Sequence, residues 1–407
     1  MAVDKAIDSA KLDSALMATA DAIREKSGES GAIAWDEMRG FEQAVEKIRQ
    51  GSPSAVPKDV NFYDCDGKCL YSYTLEEAQA LTEIPPAPAP MRDFLEFDCW
   101  NWTLDQIKSL GRPVEVGVIY KTVDGESRLV LDYDTMAYGP VQLNFSGAVV
   151  DIDWGEDSEI ERINGTSAGQ VTHAYQHTGV YIVRLKVISG ELILGISASS
   201  PLIGGSAYDF TRYPLREVYV GDNAHVGWQG LVKCIGLEVL SMAKTEESLP
   251  NTAIAHCYRL KALILPPACT AIEGASAYAY GMHILSLPPA LKTIENRFLH
   301  SGNSLSKITL PDGLETIGGS VVTNGNVSRI YIPKSVTSIE NSAFNSNRNV
   351  LHEIRFLSET PPVLGGSAAF ANFESHLVVY VPKGTLDTYK TATNYAHLAD
   401  YMQEAEE

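Results

Sequence analysis

Along the C-terminal half of the chain, apolar residues recur on one template, apolar-x-x-apolar-x-apolar. It fits at Leu215/Val218/Val220, Leu237/Leu240/Met242, Leu260/Leu263/Leu265, Met282/Leu285/Leu287, Leu305/Ile308/Leu310, Val327/Ile330/Ile332 and Leu351/Ile354/Phe356, with an eighth unit at His376/Val379/Val381. Successive units start 22, 23, 22, 23, 22, 24 and 25 residues apart. Chance does not hold such a register, so the pattern predicts a solenoid over 212–403 whose coils have leucine-rich-repeat length. The fourth and sixth places of each unit point into the coil. A further apolar residue twelve after the unit start, at Leu249, Ile272, Ile294, Ile317 and Ile339, marks a second inward corner. Proline follows the expected strand at Pro266, Pro288, Pro311, Pro333 and Pro382, where its missing N–H ends ladder pairing. Tyr389, Leu398, Tyr401 and Met402 predict a terminal helix over the open end of the core, because the last coil has no neighbour to cover it.

Upstream the period changes. Leu12, Leu16, Ala20 and Ile23 form one helical stripe and Met38, Phe41, Val45 and Ile48 a second, ending at Gly51. Two short helices in residues 1–51 enclose too little core to stand alone, so this segment reads as an attachment or oligomerisation element. Leu12, Leu16 and Ile23 are its expected self-association seam, in a homo-oligomer, a trimer. After a Gly/Ser/Pro linker, residues 57–135 read as a small α+β module. Its signals are a hairpin around Asp66-Gly67, a capping box at Thr74–Glu77 and a Pro-rich stretch over 85–90. Thr103 starts a helix that runs to Leu110, and a second hairpin is expected from Val114–Tyr120 and Arg128–Tyr133 around Asp124-Gly125. Beyond Val141 the β-branched stretches 141–145, 148–154, 171–175 and 180–187 predict a β-sandwich of immunoglobulin size over 139–200. The fold class expected is multidomain and mainly β.

Composition changes this picture little. Of 407 residues, 45% are hydrophobic and 20% charged, an ordinary globular mixture. The net charge of −19 repels phosphate backbones and anionic lipid, so nucleic acid is not an expected partner. The start, Met1-Ala2-Val3-Asp4-Lys5, lacks the apolar core of a secretory signal, and no run approaches the ~20 apolar residues of a membrane span. The expectation is a protein that neither inserts in a membrane nor is exported by that route. Six cysteines lack the spacing of paired metal knuckles and read as buried or idle thiols, although Cys65 and Cys69 are placed to bridge a hairpin. No phosphate loop, His-Glu-x-x-His or Gly-x-Ser-x-Gly is present, and no catalytic residue, metal ligand set or cofactor is assigned. Asp151, Asp153, Glu156 and Asp157 offer oxygen ligands to calcium, but the alternation also suits an exposed strand. Trp100 and Trp102 read as packing anchors rather than a sugar platform.

Three stretches resemble known families. Val150-Asp151-Ile152-Asp153-Trp154-Gly155 and Thr172-His173-Ala174-Tyr175 with Gly179-Val180-Tyr181-Ile182-Val183 are similar to the strand motifs of the PKD fold. The repeats, with phrases such as Leu310-Pro311-Asp312-Gly313-Leu314-Glu315-Thr316-Ile317, resemble the BspA-type leucine-rich repeat family. Leu12-Asp13-Ser14-Ala15-Leu16 with Ala20–Gly28, and Val60–Gly67 with Tyr71–Pro85, resemble tail-associated proteins of bacteriophages and prophages. The resemblances imply a non-enzymatic phage tail fibre or tail-tip receptor-binding protein. It would assemble into the virion in the host cytoplasm, attach to other tail or baseplate proteins by its N-terminal region and recognise a host-surface protein or glycan with its repeats. The alternatives are a bacterial BspA-like surface adhesin and a tail-associated glycan hydrolase. Strand alternation turns the third and fifth places of each repeat outward onto one continuous sheet, which makes Tyr219, Ile264, Arg329, Tyr331, Arg355 and Tyr380 the expected receptor-binding residues.

Overall fold

The computed structural model describes residues 58–197, 200–204, 214–274, 281–300, 305–323, 326–345, 350–373 and 376–405; the expected attachment segment, with Leu12, Leu16 and Ile23, lies outside them. The chain divides at Lys58, and the architecture here is that of Asp59–Glu407.

The first layer is a four-stranded sheet of β1 (Val60–Tyr63), β2 (Cys69–Tyr73), β3 (Leu95–Trp100) and β4 (Val114–Thr122), in the order β2-β1-β4-β3. The Asp66-Gly67 turn forms, with Gly67 at φ 86°, and pairs Val60 with Tyr73. Helix α1 (Leu75–Ala80) starts at the Thr74/Glu77 capping box, and α2 (Leu104–Leu110) at a second box of Thr103 and Gln106. Strand β4 is buried at every position but Lys121. Alternation is lost there because both faces of the strand are covered.

The second hairpin does not form. Both edges of β4 are taken, by β1 and β3, so the turn at Asp124-Gly125 instead carries the chain into another sheet. There β5 (Ser127–Tyr133) pairs with β9 (Gly179–Leu194) on one side and β10 (Leu215–Tyr219) on the other. The expected sandwich over 139–200 is likewise not a separate body. Its strands β6 (Val141–Asp153), β7 (Glu161–Asn164), β8 (Gly169–His173) and β9 lie in one eight-stranded sheet that also holds β5, β10, β11 (Ala224–Val226) and β12 (Val239–Ser241). Long β6 and β9 bend together where Gly147 and Gly190, both at φ near 85°, oppose each other. A Cβ on either would sit 2.2 Å from backbone oxygen of the other strand, so only glycine fits. The two motifs likened to PKD strands do meet. Trp154 stacks on His173 at 4.5 Å between centroids, and Tyr175 stacks on Tyr181 and donates to the Trp154 carbonyl at 2.8 Å. Three of the four carboxylates considered for calcium are engaged by other protein groups. Asp151 binds Arg162, whose guanidinium holds its carboxyl below the usual range, Asp153 accepts from Gly155 N, and Glu156 meets His173.

Strand β10 opens the solenoid. Its antiparallel edge on β5 closes the first coil, and one apolar core runs unbroken from Leu129 to Met402. The repeat register is as the template sets it: Val218 faces Leu240, Leu263 faces Leu285, and Ile330, Ile354 and Val379 align. The second corner forms a six-stranded parallel ladder in which Leu249, Ile272, Ile294, Ile317, Ile339 and Leu364 stack. The outward-facing sheet is not continuous, however. It falls into β10 with β12, Ala262–Ile264 with Ile284–Ser286, and a last group of Arg329–Ile332, Glu353–Phe356, Val378–Val381 and Met402–Glu404. The C-terminal cover differs in form from the helix expected. Helix α3 (Leu386–Thr391) and a 3-10 turn (Ala396–Tyr401) bury Tyr389, Tyr395 and Leu398 against Phe356, and Met402–Glu404 then adds a final strand.

The six cysteines, all among the described residues, are thiols and form no disulfide. Cys234 and Cys257 are fully buried in the coil core, Cys257 donates to the Leu231 carbonyl at 3.2 Å, and burial pushes its thiol well above the usual range. Neither is expected to react with a maleimide in the native protein, whereas Cys69, exposed although partial burial raises its thiol, labels ahead of both. Rapid native labelling of Cys234 and Cys257, read by peptide mass spectrometry, would place them outside the core.

Candidate recognition surface

The outward face of the repeat sheet is covered over its first five units by the α+β layer. Tyr219 and Ile264 are therefore not available to a receptor: they are 1% and 3% exposed and, with Val239, complete the apolar core of that layer. Tyr219 packs edge-on against Phe94 at 5.5 Å, and its hydroxyl donates to Glu217, which also takes a bidentate pair from Arg92. That carboxylate holds Arg92 above its ordinary value. Ile264 lies against the bare backbone of Gly117, where a Cβ would come within 2.2 Å of it.

Proline placement explains the polar part of the contact. In a parallel ladder in this register, the carbonyl of each sixth-place residue accepts from the seventh place of the next coil. Proline stands at that place at 266, 288, 311, 333 and 382 and cannot donate, which leaves the carbonyls of Met242, Leu265, Leu287, Leu310 and Phe356 without a ladder donor. For the middle three the layer supplies a donor in order, from Asn101 Nδ2 at 3.0 Å, Trp102 Nε1 at 2.9 Å and Arg112 Nη2 at 2.6 Å. Where the seventh place is Leu357, its N–H donates to Ile332 and no such substitute is needed. Asn101 also accepts from Gly117 N, and Ser286 Oγ donates to the Glu115 carbonyl. Trp100 and Trp102 are thus buried anchors, the indole of Trp100 donating to Pro85. Ion pairs ring the contact, among them Lys244 with Asp98, Arg112 with Asp312 and Lys307 with Glu115. Burial raises the Glu115 carboxyl, and Lys307 opposes that rise.

The cover ends at Thr309, which donates to Pro113 O. Beyond it the sheet is open, and the other four expected residues, Arg329, Tyr331, Arg355 and Tyr380, lie together on its three neighbouring strands. Arg355 stands directly between Tyr331 and Tyr380, its guanidinium 4.0 Å over the Tyr380 ring. Glu353, the third residue of the unit that starts at Leu351 and therefore outward by alternation, is the hub. One oxygen accepts from Arg329 Nε at 2.9 Å and the other from Arg355 Nε at 2.6 Å. The division between covered and open strands has a signal in the columns themselves: Val239, Ala262, Ile264 and Ile284 are apolar where a solvated face is expected, and the basic residues begin at Lys307.

Among the described residues no helix is long and apolar enough to cross a membrane, and no group of three His, Cys, Asp or Glu side chains is placed to hold a metal ion. The family model for the BspA type leucine rich repeat region matches residues 229–351 in six copies. The C-terminal β-solenoid is thus of leucine-rich-repeat type, and residues 229–351 within it match the BspA-type repeat. Among solved structures, the pneumococcal vaccine antigen PcpA is 19% identical over 40% of this chain and 39% of its own, with a TM-score of 0.33. A leucine rich cell surface protein from Faecalibacterium prausnitzii A2-165 is 20% identical over 42% and 55%, with a TM-score of 0.26. A leucine-rich repeat protein from Bacteroides ovatus ATCC 8483 is 16% identical over 62% and 74%, with a TM-score of 0.30. The chain therefore spans about two fifths and just over half of the first two, and likeness at this level carries no argument about function. No curated protein matches the chain.

Proposed function

We propose that this chain is a non-enzymatic recognition protein of the BspA-like surface-adhesin class, which binds a ligand on another cell or host surface through the open end of its repeat sheet. One observation carries the reading. The sheet is sealed over its first five units, whose outward residues are mostly small or apolar, and is left open over the last three, where two arginines and two tyrosines, residues enriched in binding hot spots, gather on adjacent strands. The BspA-type repeats support the class. The tail-fibre reading uses the same face on a different carrier, and immunogold labelling of cells against phage particles separates the two.

The test is adhesion of the purified, fluorescently labelled chain to bacterial and epithelial cells. Replacing Tyr331 and Arg355 together by alanine is expected to reduce binding at least tenfold while leaving Tm nearly unchanged, because both side chains lie on the solvent side of the sheet. Undiminished binding by the double variant would move recognition away from this face.

A further inference from the structure

The open face carries more chemistry than a generic hot spot, and the ligand class it selects rests on its being the recognition surface. Each of the two guanidinium groups spends its Nε on the shared Glu353 carboxylate, and neither makes a further hydrogen bond among the described residues. The Nη ends are left as donors, on side chains 48% and 33% exposed. The Glu353 side chain itself is 11% exposed and accepts one of these hydrogen bonds on each oxygen. Two positive charges against one negative make a local excess of +1 on a chain of net charge −19.

The floor beneath is a parallel sheet with a filled underside. Ile330, Ile332, Ile354, Phe356, Val379 and Val381 are all buried on its inner side. Four strands at ~4.8 Å spacing give a floor roughly 14 Å wide, bounded on one side by the α+β layer over Thr309. Such a floor, carrying partly exposed guanidinium groups and tyrosine rings on adjacent strands, grips a ring bearing an acidic substituent better than an extended peptide, which needs side-chain pockets.

We propose that Arg329 and Arg355, aligned by Glu353 and flanked by Tyr331 and Tyr380, form a binding site for acidic saccharides. The guanidinium Nη groups clamp a carboxylate or sulfate, and the half-buried tyrosine rings beside them pack against the sugar ring. Glu353 is a positioning residue. It makes no contact with the ligand, but it holds both forks in one orientation.

The experiment is titration calorimetry of the full chain with oligogalacturonate, which carries carboxylates, dextran sulfate oligomers, which carry sulfates, neutral dextran and poly-glutamate. The expected result is binding of one or both acidic saccharides, weakened by added salt, with neutral dextran and poly-glutamate at least tenfold weaker. Which of the two acidic probes binds identifies the anionic group. R329Q/R355Q is expected to abolish saccharide binding. Glu353→Gln separates geometry from bulk charge: the clamp predicts a loss of tenfold or more although the variant is one unit more positive, and tighter binding would overturn the positioning role. Equal binding of poly-glutamate would overturn the saccharide class in favour of an acidic peptide. If neither acidic saccharide binds while Y331A/R355A still abolishes cell adhesion, the ligand class is wrong and the recognition reading survives. If adhesion is also unaffected, the recognition reading falls with it.

Discussion

Gly117→Ala is expected to destabilise the chain by about 3 kcal/mol, at the upper end of ordinary overpacking costs, because the new methyl would lie 2.2, 2.5 and 2.7 Å from three carbons of Ile264. Those atoms belong to a side chain that is itself 3% exposed and enclosed by the core of the α+β layer, so neither partner can step aside. The strain falls at the centre of the contact between layer and solenoid. Gly117 N is also the donor to Asn101 Oδ1, and Asn101 serves the orphaned Leu265 carbonyl, so displacing the strand breaks the polar contact with the apolar one. Ile264→Ala removes all three clashing carbons. Alone it should cost ~2–5 kcal/mol through the cavity it leaves. Combined with Gly117→Ala the total should fall below the sum by about 1–3 kcal/mol, the coupling expected of two groups in contact. Urea denaturation of the four proteins gives the cycle. Additive losses, or a neutral Gly117→Ala, would mean that the layer does not sit on this sheet.

Phe370→Ala should cost ~3–5 kcal/mol, and the loss should be local. Phe370 is fully buried, stacks on Phe344 at 5.3 Å and meets Phe356 edge-on at 5.9 Å, and Phe356 in turn supports Tyr389 and Tyr395 of the C-terminal cover. In a solenoid each coil is stabilised by its neighbours alone, so removing this ring should release the cover and the last coils first. Hydrogen exchange is expected to accelerate over Glu353–Glu404 while Leu215–Leu287 stays protected, because those coils are braced by the α+β layer and closed at their other end by β5. Uniform acceleration along the whole array would show that the chain unfolds as one cooperative body instead.

Where the sequence was legible, a strict period was at work. The template residues needed no knowledge of anything outside their own coil, because each coil repeats the same demand: fourth and sixth places inward, a second corner at the twelfth residue after the start, proline where pairing stops. Leu263 opposite Leu285 and Ile354 opposite Val379 follow from that demand alone. The capping boxes at Thr74 and Thr103 and the Asp66-Gly67 hairpin were legible for the same reason, since each is settled within four or five residues.

What only the tertiary structure decided is where the outward face goes. Alternation says that Tyr219, Ile264, Tyr331 and Tyr380 leave the coil on the same side; it cannot say that a layer encoded more than a hundred residues upstream covers the first two and stops before the others. The same limit separated β4 from β5. A turn at Asp124-Gly125 between two alternating runs reads as a hairpin, yet the pairing partners of a strand are chosen by whichever edges remain free, and those of β4 were already taken by β1 and β3. Proline just after a strand, as at 288, 311 and 333, is legible as a place where ladder pairing loses a donor. That Asn101, Trp102 and Arg112 would supply those donors required the chain to fold back on itself, since a hydrogen bond between residues some 160 to 200 apart in sequence leaves no periodic trace in either segment.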